Sequence, residues 1–518
     1  MRKASERSEI ARALELLTIG WLFVFAAFAP HSIAVTQGAW LLGMLCWVVR
    51  LCLPDRPKLF RTPVDYALLG FFILTGLSAV LSYEPMVSIG KLRAASLFTI
   101  VYLFAENIPS LKISRALVLT LIFSCVINVF YTAATRAVGR GVKVMGVRAE
   151  SPLSASTMMS LQKKQEHYPI LSGDTILAVN GQAVRNPDEI ASQLSFSIKE
   201  PFATVTMYRG DVFPPIRVPR GRLLPGASAE EQLGIASWAI GRDWRASGFY
   251  GHYVSYAEAL QLIASLALGL LICLPRKKSR IGLVLGLALL GFIFSLLLTV
   301  TRASWLALLV SAAVMFLVGS SRRTILIATA CAIPLVLAGA IMLQQKRHVG
   351  LLDQNDASTT WRETVWREGF HLLVSRPRHL AVGIGMDSIK RHWREWGLFD
   401  EGRIPIGHMH SNLLQIGLER GLPALIVWLI LLAVYARSLW QTFRRLQTQA
   451  IAEPAEVSVN WLGSWLDRGV ILGALGGLAG FLVSGLVHYN WGDSEVVMIF
   501  YFVMGISLFI THSLSERC

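Results

Sequence analysis

Residues 281–318 read IGLVLGLALLGFIFSLLLTVTRASWLALLVSAAVMFLV. A helix needs about 20 apolar residues to cross the hydrocarbon core of a bilayer, so this stretch is long enough for two crossings. Its polar residues gather near the midpoint, where Thr301, Arg302 and Ser304 interrupt the apolar run. The pattern predicts two membrane-spanning helices joined by a short turn, with Arg302 at the membrane boundary. The chain is therefore predicted to be an all-α polytopic membrane protein.

Apolar runs of similar length recur along the chain, which has 518 residues, 54% of them hydrophobic and only 16% charged. We count about twelve candidate spans, an even number that places both chain ends on one side of the membrane. They are centred near Trp21, Leu42, Phe71, Leu97, Leu121, Ile263, Ala288, Val310, Ala332, Val427, Gly477 and Phe502. No small-residue cleavage site follows the first run, so we expect a retained helix there, not a signal peptide.

The net charge of +16 would suggest a nucleic-acid partner in a soluble protein, so the positions of the basic residues matter. In the N-terminal segment and the short loops, twenty Lys and Arg residues fall on the side of the N-terminus. Only Lys91, Arg93 and Arg302 fall on the other side. Because cytoplasmic loops are enriched in positive residues, we predict cytoplasmic chain ends in a bacterial inner membrane and no nucleic-acid partner.

Between the fifth and sixth spans, the hydrophobicity drops and strand-like alternation appears at 141–147 and 203–208. Asn180-Gly181 suits a tight hairpin turn, and Asn186 followed by Pro187 suits the start of a helix. The run SGDTILAVNG, which contains that turn, and the helix after it resemble a bacterial PDZ domain, a small α+β fold. The resemblance implies a peptide or protein ligand, and the alternative is a packing or docking module.

The second long outer segment, residues 344–410, is rich in Trp, Arg and His. Helical spacing puts Trp361, Thr364 and Val365 on one face, which indicates an amphipathic helix at the membrane surface. Its arginines either meet lipid phosphates or serve a substrate. Arg302 presents a similar choice, because an arginine at a membrane boundary either snorkels to the interface or holds a diphosphate with its planar fork.

Two histidines, His408 and His410, lie in the run GHMHSNLLQ, just before the tenth span. Their spacing raises the question of a metal ion. No carboxylate or third ligand is spaced for a metal in the sequence, so we predict no metal site. A neutral imidazole at the outer surface is better suited to act as a general base.

Several short motifs together resemble the O-antigen ligase and O-antigen polymerase superfamily. They are TRASW at 301–305, the segment 361–366, residues 377–385 ending in VGIG, HSN at 410–412 and ERG at 419–421. Their order and membrane placement also match, and the similarity covers essentially all the chain except the PDZ-like insertion. The resemblance implies an inverting, metal-independent glycosyltransferase of the GT-C type. Such an enzyme takes a glycan from undecaprenyl diphosphate at the periplasmic face and needs no cofactor.

Carried over by position, the resemblance assigns Arg302 and Arg362 to the diphosphate and His410 to activation of the acceptor hydroxyl. Arg367 is a further candidate for the diphosphate. The candidate acceptor contacts are His408, Asn412, Asp493 and Glu495. The two acidic residues either orient a sugar or are solvated loop charges.

The predicted domains are spans one to five (1–135), a PDZ-like domain (136–225), a linker with spans six to nine (226–343), a large periplasmic loop (344–410) and the last three spans (411–518). The leading function is a ligase that moves an undecaprenyl-linked polysaccharide onto lipid A core. A polymerase that extends the glycan and a protein O-oligosaccharyltransferase would use the same donor. A transporter and an envelope scaffold are the alternatives from other classes. The expected partners are the lipid-linked donor, lipid A core or a growing glycan, membrane lipids, and a peptide or protein ligand of the insertion.

Overall fold

A computed structural model describes most of the chain. The described residues are 9–54, 56–57, 59–159, 165–195, 200–209, 215–321, 333–334, 337, 341, 357–452 and 461–516. They divide into two compact units. Residues 130–246 form one unit, and the described residues before and after this segment form the other.

Ten helices among the described residues are long and apolar enough to cross a membrane. They are Glu9–Phe28, Ile33–Leu51, Pro85–Asn107, Leu111–Val138, Tyr253–Cys273, Arg280–Leu298, Arg302–Gly319, Asn412–Gln449, Ser464–Gly485 and Ser494–Ser515. An eleventh apolar helix, Asp65–Val80, has only 16 residues and covers the span predicted near Phe71. The span predicted near Ala332 lies outside the described residues, so the count of twelve stays a prediction. The chain is a mostly helical, multi-pass membrane protein.

The turn predicted in the middle of residues 281–318 is confirmed. Three residues, 299–301, separate the helix Arg280–Leu298 from the helix Arg302–Gly319. Val300 in this turn has a positive φ of 51°, a conformation that β-branched residues rarely adopt. Arg302 is therefore the first residue of its helix.

The spanning helices differ in how much of their surface the protein covers. Several expose large apolar side chains, such as Leu45, Leu287 and Ile430, as expected where a helix faces lipid. By contrast, 78% of the residues in the 18-residue apolar window of the Tyr253–Cys273 span are buried, and 83% of those in the Ser494–Ser515 span. These two helices therefore belong to the interior of the bundle.

The helix Trp461–Ser484, which contains nearly all of the span Ser464–Gly485, also lies in the interior. Small residues allow it to pack closely against its neighbour. It carries Gly469 and Gly473 four residues apart, a spacing typical of close helix contacts in membranes. A Cβ atom on either glycine would lie 2.7 Å from a Cα atom of the helix Tyr253–Cys273. This close contact between the two helices fixes where Glu258, in the helix Tyr253–Cys273, lies relative to the loop that follows residue 484.

In the described segment 357–411, four short or medium helices precede the span that begins at Asn412. They are Ala357–Val374, which we call the tryptophan helix, Pro377–Val382, Ile389–His392 and Phe399–Gly402. Val365, Ile384 and Phe399 form part of their common core and are at most 1% exposed. The predicted amphipathic helix therefore exists, and its burial of Val365 agrees with the predicted face. Its position on a membrane surface stays a prediction.

Residues 130–246 contain a β-sheet of eight strands, paired antiparallel. The strands are β1 (Val142–Met145), β2 (Thr157–Met159), β3 (Gln165–His167), β4 (Thr175–Val179), β5 (Gln182–Ala183), β6 (Phe202–Tyr208), β7 (Pro215–Pro219) and β8 (Ser237–Ile240). Their order is β3-β2-β7-β6-β4-β1-β8, and β5 pairs with β4. The strands predicted at 141–147 and 203–208 are confirmed as β1 and β6.

The turn and helix start predicted in this unit are also confirmed. Asn180 and Gly181 join β4 to β5 with φ values of 51° and 78°. Asn186 accepts the Glu189 amide at 2.9 Å, and Pro187 is the first residue of the helix Pro187–Leu194. Proline at this position and asparagine at the cap are typical of helix starts.

The compact unit is larger than the segment predicted from composition. A second helix, Ala229–Leu233, and strand β8 both follow residue 225. The whole length of β8 pairs with β1, so residues beyond the predicted boundary complete the sheet. The PDZ-like identity stays a prediction.

Candidate active site

The tryptophan helix holds the histidine loop, which we define as residues 403–411. Trp366 donates its indole N–H to the carbonyl of Met409 at 2.9 Å. The Trp361 and His410 rings lie edge to face, with centroids 4.3 Å apart, a geometry that aromatic pairs favour. The two tryptophans therefore position the loop that carries both predicted histidines.

His408 and His410 lie side by side. Their ring centroids are 4.0 Å apart, and the His410 amide donates to Nδ1 of His408 at 3.1 Å. Met409 between them is fully buried, and its amide donates to the Gln415 side chain at 2.7 Å. His410 itself has a positive φ of 47°, which is uncommon outside glycine and often marks a functional turn. The buried Met409 thus anchors the turn that pairs the imidazoles.

Burial lowers the pKa of both imidazoles, because it disfavours the charged form. The pKa of His408 falls to about 3, and that of His410 falls well below its usual range. Neighbouring histidines and the positive charge of Arg362 add to both shifts. Both rings are therefore neutral near pH 7 and keep a lone pair, and the lowered pKa makes each a weaker base than an ordinary histidine.

A third histidine, His488, comes from the final loop, which we define as residues 486–493. Its ring centroid lies 5.3 Å from that of His408 and 5.8 Å from that of His410. Its Nδ1 lies 3.1 Å from both carboxylate oxygens of Glu258. Burial by itself lowers the pKa of His488, but the adjacent carboxylate makes the net shift upward.

The sequence analysis missed both His488 and Glu258. A signal for Glu258 was present, because an acidic residue inside an apolar span is a functional candidate by default. His488 was passed over in favour of Asp493 and Glu495 in the same stretch of chain. Nothing in the spacing of the sequence places His488 beside His408, since the two loops are joined by two spanning helices.

Asp493, one of the predicted acceptor contacts, lies beside this group. It accepts a hydrogen bond from Ser255 Oγ at 2.8 Å, and Ser255 is one helical turn from Glu258. The other predicted acidic residue, Glu495, is half-buried in the first turn of the helix Ser494–Ser515.

Asn412 joins the histidine loop to the final loop. Its side-chain NH₂ donates to Asn490 at 2.6 Å, and its side-chain oxygen accepts the Trp491 amide at 3.1 Å. Asn412 is only 2% exposed. Because both polar groups of the side chain are engaged within the protein, the geometry favours a positioning role over the predicted contact with the acceptor.

The three predicted arginines have different surroundings. Arg362 is half-buried, and its Nε–H donates to the carbonyl of Val487 in the final loop at 3.2 Å. Arg367, further along the tryptophan helix, is exposed. Arg302 is half-buried at the start of its helix, which packs against two interior helices. Arg362 thus bridges the tryptophan helix and the loop that carries His488.

A cavity of about 640 Å³ opens beside the histidine loop, within the size range of small-molecule sites. Its lining includes Lys91, Arg93, Asp387, Lys390, His408, Glu419, Arg420, Tyr489 and Asp493. Asp387 pairs with Lys91 at 2.7 Å and with Lys390 at 3.1 Å. The cavity wall therefore carries both cations and carboxylates, beside apolar side chains such as Phe71, Ile389 and Val497.

The VGIG run is hydrogen-bonded to the helix that follows the histidine loop. The amides of Ile384 and Gly385 donate to the carbonyls of Leu418 and Glu419, each at 2.9 Å. Gly383 has a φ of 76°, and a Cβ atom there would lie 2.4 Å from the carbonyl carbon of Glu419. Two of the motifs that carry the family resemblance therefore pack directly against each other.

This contact yields a stability prediction. Gly383→Ala adds a clash to an unfavourable φ, so it should lower the free energy of unfolding by more than about 1 kcal/mol. Gly397→Ala is the matched control, because Gly397 has a φ of 60° but nothing within 4 Å of the added Cβ. Thermal unfolding in detergent should give the lower Tm for Gly383→Ala. Equal Tm values would show that the close contact contributes nothing.

Among the described residues, two groups of side chains have the spacing to hold a metal ion. One is His408, His410 and His488, and the other is Glu258, His488 and Asp493. Within each group the ligand atoms lie within 4.8 Å of one another. The final loop thus supplies a third possible ligand that the local sequence does not show. The absence of a metal site stays a prediction.

Residues 286–429 match the model of a protein family described as O-Antigen ligase. The matched region contains Arg302, Arg362 and His410. A search of curated proteins finds no match. The family match supports a relationship to the O-antigen ligase superfamily and implies an enzyme of glycosyl transfer in a membrane.

Proposed function

We propose that the protein transfers a polysaccharide from undecaprenyl diphosphate onto lipid A core at the periplasmic face of the bacterial inner membrane. The observation that carries the proposal is the contact between the tryptophan helix and the histidine loop. This contact places the Trp361 and His410 ring centroids 4.3 Å apart, beside the cavity that His408 lines. It therefore brings together Arg362, the residue after Trp361, and His410. Both residues lie within the stretch that matches the O-Antigen ligase family.

In the proposed reaction, the acceptor hydroxyl oxygen bonds to the anomeric carbon of the donor glycan. The bond from that carbon to the diphosphate oxygen breaks, and undecaprenyl diphosphate leaves from the opposite face, so the anomeric centre is inverted. His410 takes the hydroxyl proton. Its Nδ1 is buried and has no hydrogen-bond partner among the described residues, so the proposed proton transfer requires the acceptor hydroxyl to reach a ring nitrogen of His410. A positioned general base contributes about 10²–10⁴-fold to a rate.

Arg302 and Arg362 are proposed to stabilise the charge that develops on the departing diphosphate. The planar guanidinium suits this task because it donates two parallel hydrogen bonds to phosphate oxygens. Arg367 is exposed and is the weaker candidate. With cationic side chains neutralising the leaving group, the proposed reaction uses no metal ion and no other cofactor.

The cavity is the proposed acceptor site. Arg93 on its wall suits an acceptor that carries an anionic group, whereas Lys91 and Lys390 are paired with Asp387. His408 and Asp493 also line the cavity and remain proposed acceptor contacts. Glu495 is a further candidate, and Asn412 is assigned to holding the two loops together.

Lipopolysaccharide banding in a gene-deletion strain tests the function. Loss of all long chains on lipid A, with undecaprenyl-linked polymer still made, is the result expected for a ligase. Lipopolysaccharide with a single repeat unit would instead indicate a polymerase. Unchanged lipopolysaccharide with loss of protein-linked glycan would indicate a protein O-oligosaccharyltransferase, and no change in any glycan would favour a transporter or scaffold.

The proposed orientation of the chain predicts a pattern of reporter activities. Fusions within residues 136–222 and 354–403 should report periplasm, and fusions at Lys277 and Arg445 should report cytoplasm, because positive residues concentrate in cytoplasmic loops. Paired alkaline phosphatase and fluorescent-protein fusions measure this. A cytoplasmic signal from residues 136–222 would contradict the proposed orientation.

We propose that the unit at residues 130–246 is a PDZ-like docking module for a peptide or protein. Its ends are adjacent, since Arg140 donates its amide to the carbonyl of Gly241 at 2.9 Å. Replacing residues 141–240 by a short Gly-Ser linker should therefore leave the spanning helices folded. Transfer in cells should fall more than transfer by the purified protein. Equal loss in both assays would place the unit within the catalytic fold.

A further inference from the structure

The three imidazoles of His408, His410 and His488 form a cluster that the proposed transfer reaction does not require. Only His410 has a role as a base in that reaction. One nitrogen from each ring lies within 4.8 Å of the others. Zinc sites commonly use three histidines and leave a fourth position open, with Zn–N distances of about 2.0–2.1 Å. Binding an ion therefore requires the rings to turn so that these nitrogens converge on it.

The surroundings of His488 match those of a metal-ligating histidine. Its Nδ1 faces the buried carboxylate of Glu258, 3.1 Å from each oxygen. A neutral imidazole that donates Nδ1–H to a carboxylate keeps a lone pair on Nε2. Metal-ligating histidines almost always have such a partner, which fixes the tautomer and the ring orientation.

The other two rings can also supply a lone pair. Nδ1 of His410 is buried and has no hydrogen-bond partner among the described residues. His408 accepts a single hydrogen bond at Nδ1, from the His410 amide at 3.1 Å. A metal on Nδ1 would replace that bond. Nε2 carries the proton of the neutral ring while Nδ1 accepts, so a metal on Nε2 would also break the bond. His408 also lines the cavity of about 640 Å³, which provides a path for an ion.

We propose that His408, His410 and His488 bind Zn²⁺, with Glu258 orienting His488, and that the bound ion blocks transfer. Imidazole nitrogens suit Zn²⁺, whereas Mg²⁺ and Ca²⁺ prefer oxygen ligands. Blocking follows because the metal occupies the lone pair with which His410 takes the acceptor proton. That second part rests on the proposed function, but the binding of Zn²⁺ does not.

The test uses the full chain, purified without a histidine tag, in detergent after treatment with a chelator. Co²⁺ should give the absorption bands of a four-coordinate site at one ion per chain, and Zn²⁺ but not Mg²⁺ should displace it. His488→Ala should abolish these bands, and Glu258→Gln should weaken Zn²⁺ binding by about 10–100-fold. His371→Ala is the control, because His371 is exposed on the tryptophan helix. Thermal unfolding without metal shows whether each variant is folded.

Unchanged Co²⁺ bands in a folded His488→Ala variant, or unchanged Zn²⁺ affinity in a folded Glu258→Gln variant, would overturn the site. In the transfer assay, Zn²⁺ should inhibit the wild-type protein, and chelator should restore the activity. Zn²⁺ binding without inhibition would overturn the second part of the proposal. Failure of the proposed function would appear differently, as an absence of transfer before any Zn²⁺ is added.

Discussion

His410→Ala is expected to lower turnover by about 10²–10⁴-fold, the usual contribution of one acid–base group. Donor binding should stay near that of the wild-type protein, because His410 is proposed to act on the acceptor hydroxyl and not on the diphosphate. Single-turnover transfer and equilibrium binding of the lipid-linked donor, measured on the same preparation, separate the two quantities.

His371→Ala is the matched control for this experiment. It removes an imidazole from the exposed face of the tryptophan helix and should leave both turnover and donor binding unchanged. Near-normal turnover in His410→Ala would remove His410 from the mechanism. A parallel fall in donor binding would show that the residue shapes the site and is not the base.

Arg362→Ala is expected to weaken donor binding and to lower transfer by about 10²–10³-fold, the range seen when one stabilising donor is lost. Arg362→Lys should restore only part of the activity, because an ammonium group cannot form the bidentate pair. Arg302→Ala should behave in the same way if both arginines hold the diphosphate. Donor affinity and transfer rate are measured for each variant.

Arg403→Ala serves as the control for the arginine variants. Its side chain is 70% exposed and pairs with Asp400 at 3.4 Å, and exposed ion pairs contribute little to stability. Arg362 also bonds to Val487, so its removal has a structural component. Full rescue by lysine, or unchanged donor affinity in Arg362→Ala, would contradict the proposed role in diphosphate binding.

Features determined by neighbouring residues were predictable from the sequence. The long apolar runs, the polar break at Arg302, the Asn180-Gly181 turn and the Asn186 cap all depend on local hydropathy or local backbone chemistry. The family resemblance added the proposed roles of Arg362 and His410, which no periodicity reveals.

Features that depend on the packing of distant helices were not predictable in the same way. His488 reaches the histidine loop only because glycines such as Gly473 let two interior helices cross closely. Glu258 meets His488 through the same crossing. Likewise, both side-chain polar groups of the predicted acceptor contact Asn412 are hydrogen-bonded to the final loop. The residues next to Asn412 in the sequence give no sign of these bonds.

The most direct test of the account uses the purified protein in liposomes with an undecaprenyl-diphosphate-linked polysaccharide and lipid A core. Mass spectrometry should find one undecaprenyl diphosphate released for each polysaccharide that appears on lipid A, with activity retained when a chelator is added. No transfer by the folded wild-type protein would contradict the proposed reaction. Loss of transfer with chelator and its return with a divalent ion would contradict the metal-independent mechanism.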